Sequence, residues 1–166
     1  MFAGMLWVRA LVFTALAPGV VGFLIPTLLH SGEPLGGGAW AFGWIPTLLG
    51  GAIYAACLLK FLAAGGTPAA FILRPVRHLV GEEPAELVHG GLYRFTRNPM
   101  YVGVLTAIFG QAVLFASPSV AVYGLACWLG MHLFVVFVEE PHLRTRQGRV
   151  YEDYCRRVPR WLGRSR

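Results

Sequence analysis

The sequence predicts an all-α integral membrane protein with about four transmembrane helices, the last two a tight hairpin, and a cytoplasmic C-terminal helix. Three observations carry this. Of the 166 residues, 56% are hydrophobic and 13% charged, about half the ~25% charge of a soluble domain. The mean hydropathy is +0.59. The apolar residues are gathered into long runs separated by short polar breaks. A water-soluble surface is excluded by that charge deficit, and the whole chain, 1–166, reads as a single membrane domain. Its parts are N-terminal helices in 1–63, a cytoplasmic loop in 64–98, and a helix hairpin with its tail in 99–166.

The first run, residues 5–29, is broken only by Arg9, Pro18 and Pro26. It exceeds the ~7–15-residue core of a cleaved leader, so a retained helix is expected. Residues 30–43 hold Gly36-Gly37-Gly38 and read as a flexible loop. The second run, 42–63, has Pro46 near its start, where proline is tolerated, and Lys60 near its end, where it can snorkel. Residues 64–98 form the longest polar stretch, and a loop this long that mixes charge with Phe71-Ile72-Leu73 points to function rather than disorder.

Pro99 opens the third run, 99–115, in the first helical turn, where its missing N–H costs nothing. Gly103, Ala107 and Gly110 fall on one face of it and allow another helix to approach closely. Ser117-Pro118-Ser119 is a tight break before the fourth run, 120–138, so these two runs form an antiparallel hairpin. Glu139-Glu140-Pro141 is expected to end the fourth run abruptly. Beyond it lies a basic tail in which Leu143, Val150, Tyr154 and Val158 recur at helical spacing.

The net charge is +6, from 14 Lys+Arg against 8 Asp+Glu. In this apolar chain the excess marks cytoplasmic loops and contacts with anionic membrane lipids, and no nucleic-acid partner is expected. With four spans, the N-terminus, the 64–98 loop and the tail share one side, which positive-inside assigns to the cytoplasm. The three cysteines, Cys57, Cys127 and Cys155, fit no metal or disulfide frame, and no metal site is expected.

Two groups of residues could carry chemistry. Carboxylates at Glu139 and Glu140, placed at the end of a helix, would face the negative end of its dipole, so something cationic should compensate, unless solvation at the membrane interface suffices. One of them could instead face a cationic ligand or act as a base. The second group is Arg97, Asn98, Pro99 and Tyr101, where a helix start gathers orphan N–H groups beside arginine and tyrosine and suits an anionic moiety. An interfacial anchor needs only composition, whereas here the order is specific. His132 reads as a packing residue on an apolar helix, with a base as the alternative.

Gly91-Leu92-Tyr93, Arg97-Asn98-Pro99-Met100-Tyr101-Val102-Gly103 and Glu139-Glu140-Pro141, followed by Gly148, Tyr151, Tyr154 and Arg157-Val158-Pro159, resemble the isoprenylcysteine carboxyl methyltransferase family. Its broader relatives include membrane phospholipid methyltransferases. The resemblance covers about residues 87–161. It implies S-adenosyl methionine as cofactor and a lipid-like or prenylated small molecule as methyl acceptor. By position, it implies cofactor contacts at Ala85, Glu86, Leu87, Val88, Tyr93, Asn98, Pro99, Met100, Tyr101 and Glu139.

The chain departs from the family pattern at three places. Asn98 stands where many members have histidine, and Gln147-Gly148 where Phe-Gly is usual. Val135 stands where the eukaryotic prenylcysteine enzymes have an arginine facing the substrate carboxylate. Arg97 or Arg157 could take that part, and an amine acceptor would need a base, for which Glu140 and His132 are the candidates. Two other readings remain open: a sterol-reductase-type membrane enzyme using NADPH, and a non-catalytic membrane scaffold.

Overall fold

A computed structural model describes residues 2–30, 33, 40–67, 84 and 86–163 of the chain. Among these residues every regular element is helical. Three helices are long and apolar enough to cross a membrane, and a fourth apolar helix is shorter. The expected all-α integral membrane protein is what the chain forms.

Helix α1 runs through residues 2–29 as three joined pieces, Phe2–Thr14, a wide π-type segment Ala15–Leu24, and Ile25–Leu29. Its two prolines are absorbed within it. Pro26 offers no N–H to the carbonyl four residues back, that of Gly22. Gln111 Nε2 donates to that oxygen at 2.6 Å, and the Tyr123 hydroxyl donates to the Val21 carbonyl at 2.9 Å. A polar backbone group left bare in lipid costs several kcal/mol, so these two side chains tie α1 to the helices that carry them.

Helix α2, Ala41–Ala63, and helix α3, Pro99–Leu114, pack closest of all. The small-residue stripe on α3 meets small residues on α2. A Cβ added at Gly50 would lie 2.4 Å from the Gly103 carbonyl oxygen, and one at Gly110 would lie 2.5 Å from the Thr47 backbone nitrogen. The intimate partner of the stripe is therefore the second span, which packs directly against this arm of the hairpin. Ile108 and Val120, both fully buried, sit at the centre of the core between α3 and α4.

The hairpin turn is made by 115–117. The Ser117 hydroxyl caps the next helix by accepting from the Val120 N–H. Helix α4 then runs from Pro118 to Gln147, as Pro118–Phe134, a π-type segment Val135–Glu139, and Glu140–Gln147. This corrects the expected abrupt stop at Glu139-Glu140-Pro141. Pro141 falls in the first turn after the π segment, where the hydrogen-bond ladder has already changed register, so its missing N–H breaks nothing further. The acidic pair lies within a helix and away from its negative pole.

Gly148, with φ 52°, turns the chain in a backbone region that side-chain-bearing residues rarely adopt. Helix α5, Arg149–Arg157, follows. Tyr151, Tyr154 and the succeeding Val158 are buried against Leu87 and Leu143. The tail is thus folded back over the loop that precedes α3.

Candidate functional site

The site is built where three strands of covalent chain converge: residues 86–98, the middle of α4, and the tail 149–161. Backbone bonds close the junction. The Arg97 N–H donates to the Pro159 carbonyl at 2.9 Å. The Thr96 hydroxyl and the Asn98 side-chain amide both donate to the Arg160 carbonyl, at 3.0 and 2.9 Å. The Tyr154 hydroxyl donates to the Tyr93 carbonyl at 2.7 Å. A 3-10 turn, Gly91–Arg94, presents Tyr93 inward.

Two cavities meet at this junction. The first is small, about 50 Å³, and mixes charged and phenolic side chains with apolar ones; it is bounded by Glu86, Leu87, Val88, Glu140, Tyr151 and Tyr154, among others. The second has a volume of about 290 Å³ and is apolar. It opens between α1 (Phe13, Ala17, Pro18) and α4 (Gly130, Met131, Phe134). Five residues line both: Phe61, Tyr93, Arg97, Asn98 and Glu139. They are the wall across which anything in one space would touch the other.

The two glutamates of the acidic pair have separate surroundings. Glu139 faces the shared wall, where Tyr101 donates its hydroxyl to Glu139 Oε2 at 3.0 Å. Glu140 is buried, with 3% of its side chain exposed, and is surrounded by guanidinium groups. Arg160 forks onto it, Nε to Oε1 at 2.6 Å and Nη2 to Oε2 at 3.0 Å. Arg97 Nη1 reaches Oε1 at 3.2 Å, and Arg144, half exposed, stands at 3.6 Å. The cationic compensation required by a buried carboxylate is therefore supplied, chiefly by the bidentate Arg160 pair. The hydrogen bond to Glu140 also raises the Arg160 pKa above its ordinary value, so this arginine stays charged.

Arg97 contacts several groups at the wall. Its Nη1 touches Glu140, the Tyr151 hydroxyl at 3.4 Å and Cys155 Sγ at 2.6 Å. Its Nε is buried and meets no hydrogen-bond partner. Burial pushes the phenols of Tyr93, Tyr151 and Tyr154 above their ordinary pKa, so all three remain protonated donors.

The residues singled out in the sequence divide as follows. Glu86, Leu87, Val88, Tyr93, Asn98 and Glu139 line the first cavity, while Met100 and Tyr101 line the second. Pro99 is buried at the start of α3 and shapes the turn. Asn98 spends its amide on the Arg160 carbonyl. Ala85 lies outside the described residues. Arg97 and Glu140 are at the junction, whereas Arg157 is exposed and bonds the Asp153 carbonyl of its own helix. His132 lies outside both cavities, stacked on Trp128 and accepting from Trp161 Nε1 at 3.0 Å. Val135, only 1% exposed, lines the first cavity. Arg160 was not singled out by sequence reasoning, although the need for a cation beside the acidic pair was its signal.

Among the described residues no group of three or more His, Cys, Asp and Glu side chains could hold a metal ion. The lining of the first cavity brings together carboxylates at Glu86 and Glu139, a buried guanidinium whose Nε meets no hydrogen-bond partner, and protonated tyrosines.

Residues 72–150 match the family model described as phospholipid methyltransferase. A phosphatidylethanolamine N-methyltransferase of Emericella nidulans is 34% identical over 68 residues, which cover 41% of this chain and 7% of that protein. The enzyme of the same name in Penicillium rubens is 31% identical over 68 residues, again 7% of its length. Protein-S-isoprenylcysteine O-methyltransferase B of Arabidopsis thaliana is 32% identical over 90 residues, 52% of this chain and 45% of that enzyme. The chain thus spans less than half the length of each of these relatives. No solved structure matches. The resemblance to membrane methyltransferases read from the motifs is the one these comparisons return.

Proposed function

We propose, on the premise that this chain shares its 72–150 segment with the phospholipid methyltransferases, that it is an S-adenosyl methionine-dependent methyltransferase acting on a lipid-like acceptor at the cytoplasmic membrane face. The observation that supports this best is the pair of cavities with a common wall. A polar space opens toward the tail, an apolar one opens between α1 and α4, and Tyr93, Arg97, Asn98 and Glu139 belong to both. A polar donor from the aqueous side and an apolar acceptor from the bilayer would meet only there.

Bound in the polar cavity, the cofactor would supply an electrophilic methyl group on a sulfonium. The residues that would hold it are Glu86 to Val88, Tyr93 and Glu139. The chain's own task is chiefly positioning, because in-line displacement from a sulfonium needs no general acid. Tyr101 fixes the Glu139 carboxylate through its hydroxyl, setting a negative charge on the wall where a cationic group is best tolerated. Tyr93 lines the same wall with a ring packed edge-on to Phe61, centroids 6.1 Å apart.

Val135 gives no cationic receptor for an acceptor carboxylate. Glu139 instead favours an amine-bearing lipid acceptor. The test is incubation of the full chain in nanodiscs with methyl-labelled S-adenosyl methionine and a total membrane lipid extract. Label in an amine lipid is the expected result. Label in no lipid would refute the reading, and label in a carboxyl ester would refute the amine assignment.

A further inference from the structure

The unexplained residue at the junction is Arg160. It belongs to the tail, lines neither cavity, and yet joins every part of the site. Its carbonyl receives Thr96 and Asn98, the two neighbours of Arg97, and the Pro159 carbonyl receives the Arg97 N–H. Its guanidinium occupies both oxygens of Glu140, at 2.6 and 3.0 Å, leaving Arg97 a single contact with that carboxylate at 3.2 Å.

A planar guanidinium prefers two parallel bonds to a carboxylate. Arg97 does not have them, because Arg160 does. Were Glu140 vacated, Arg97 would gain a second bond by turning away from the wall and onto Glu140. The buried, unpartnered Nε of Arg97 is what remains of that frustrated pairing.

We infer that Arg160 is a positioning residue: by saturating Glu140 it keeps the Arg97 guanidinium on the wall between the two cavities, and so couples docking of the tail to the geometry of the site. The consequence for methyl transfer rests on the methyltransferase reading, whereas the consequence for the position of Arg97 does not.

Arg160→Lys is the informative variant. Lysine keeps the charge and the backbone carbonyl but offers a point charge without the fork, so one Glu140 oxygen becomes open to Arg97. Arg156→Met serves as control, removing a tail charge that is 78% exposed and paired only with Asp153 at 3.9 Å. Two readouts are taken on the full chain in nanodiscs. The first is the rate at which a water-soluble maleimide alkylates Cys155, whose sulfur lies beside Arg97 Nη1. Withdrawal of the guanidinium uncovers the sulfur it now contacts and speeds alkylation roughly threefold or more. The second is kcat and KM for the labelled methyl donor. A displaced wall lowers kcat roughly 10- to 100-fold with a smaller change in KM.

Tryptic cleavage after Arg156 and Arg157 reports separately whether the tail is docked. Faster Cys155 alkylation in Arg160→Lys with a docked tail, and no change in Arg156→Met, is the expected pattern. An unchanged or slower Cys155 rate would overturn the inference, because Arg97 would still cover the sulfur. A fall in kcat that merely follows increased tryptic cleavage would also overturn it, showing a structural role alone. If wild-type protein transfers no methyl group, the methyltransferase reading fails, and the alkylation rates still decide the role of Arg160.

Discussion

Alanine at Gly50 is the sharpest perturbation of the fold that carries the site. The added Cβ would stand 2.4 Å from the Gly103 carbonyl oxygen and 2.5 Å from the Ala107 nitrogen, where ordinary contact begins near 3.4 Å. Both obstacles are backbone of α3, so no side chain can rotate away. The helices must separate by the shortfall, 3.4 minus 2.4, about 1 Å, or distort locally. Overpacking of this kind costs about 1–3 kcal/mol, which for a chain of this size lowers Tm by roughly 2–12 °C. The same shift moves the first turn of α3, where Asn98 and Tyr101 stand on the cavity walls, and a ~1 Å misplacement can cost up to roughly 10²-fold in rate. Gly51→Ala is the matched control, since its added Cβ meets nothing within 4 Å, and alanine gains up to ~1 kcal/mol of helix propensity there. The assay is thermal unfolding in detergent, with donor kinetics in nanodiscs. Equal melting of Gly50→Ala and wild type, or equal damage from Gly51→Ala, would refute the close α2–α3 contact.

Three further outcomes are expected. Glu140→Gln removes the one carboxylate among Arg97, Arg160 and Arg144 and should cost about 3–5 kcal/mol in chemical unfolding, as loss of one partner of a buried pair does. Gln111→Leu leaves the Gly22 carbonyl without the donor that Pro26 cannot supply, so thermal unfolding should show a loss of about 1–3 kcal/mol. The pKa values of Tyr93, Tyr151 and Tyr154 are raised by burial, so the folded state holds these protons more tightly than the unfolded chain. Their contribution is complete below the unfolded value of ~10 and is lost as pH rises above it. Tm in detergent should therefore be level to about pH 9.5 and fall beyond, more shallowly in Tyr154→Phe.

The helices were legible because a membrane demands long apolar runs: the second run, 42–63, differs from Ala41–Ala63 by one residue. The same reasoning failed at Pro141. Local propensity treats Glu-Glu-Pro as a stop, but a π segment and the Arg160 fork, set 20 residues away, carry the helix on to Gln147. The site was legible where order exceeded what anchoring needs, around Tyr93, Asn98 and Tyr101. It was not legible at Arg160, because one arginine in a basic tail looks like the others until folding brings it to Glu140. His132 stood out as a histidine in an apolar run, and its place between Trp128 and Trp161 depends on how the tail returns to α4.

We propose above that the cavity beside Glu139 holds the methyl donor. Calorimetric titration of the purified full chain with S-adenosyl homocysteine tests it most directly, run on wild type and on Glu139→Gln. Wild type should bind saturably, and the variant roughly tenfold or more weakly, since a hydrogen bond to a charged group contributes ~1.5–3 kcal/mol. Folded wild-type protein that takes up no ligand, or a variant that binds as tightly as wild type, would contradict it.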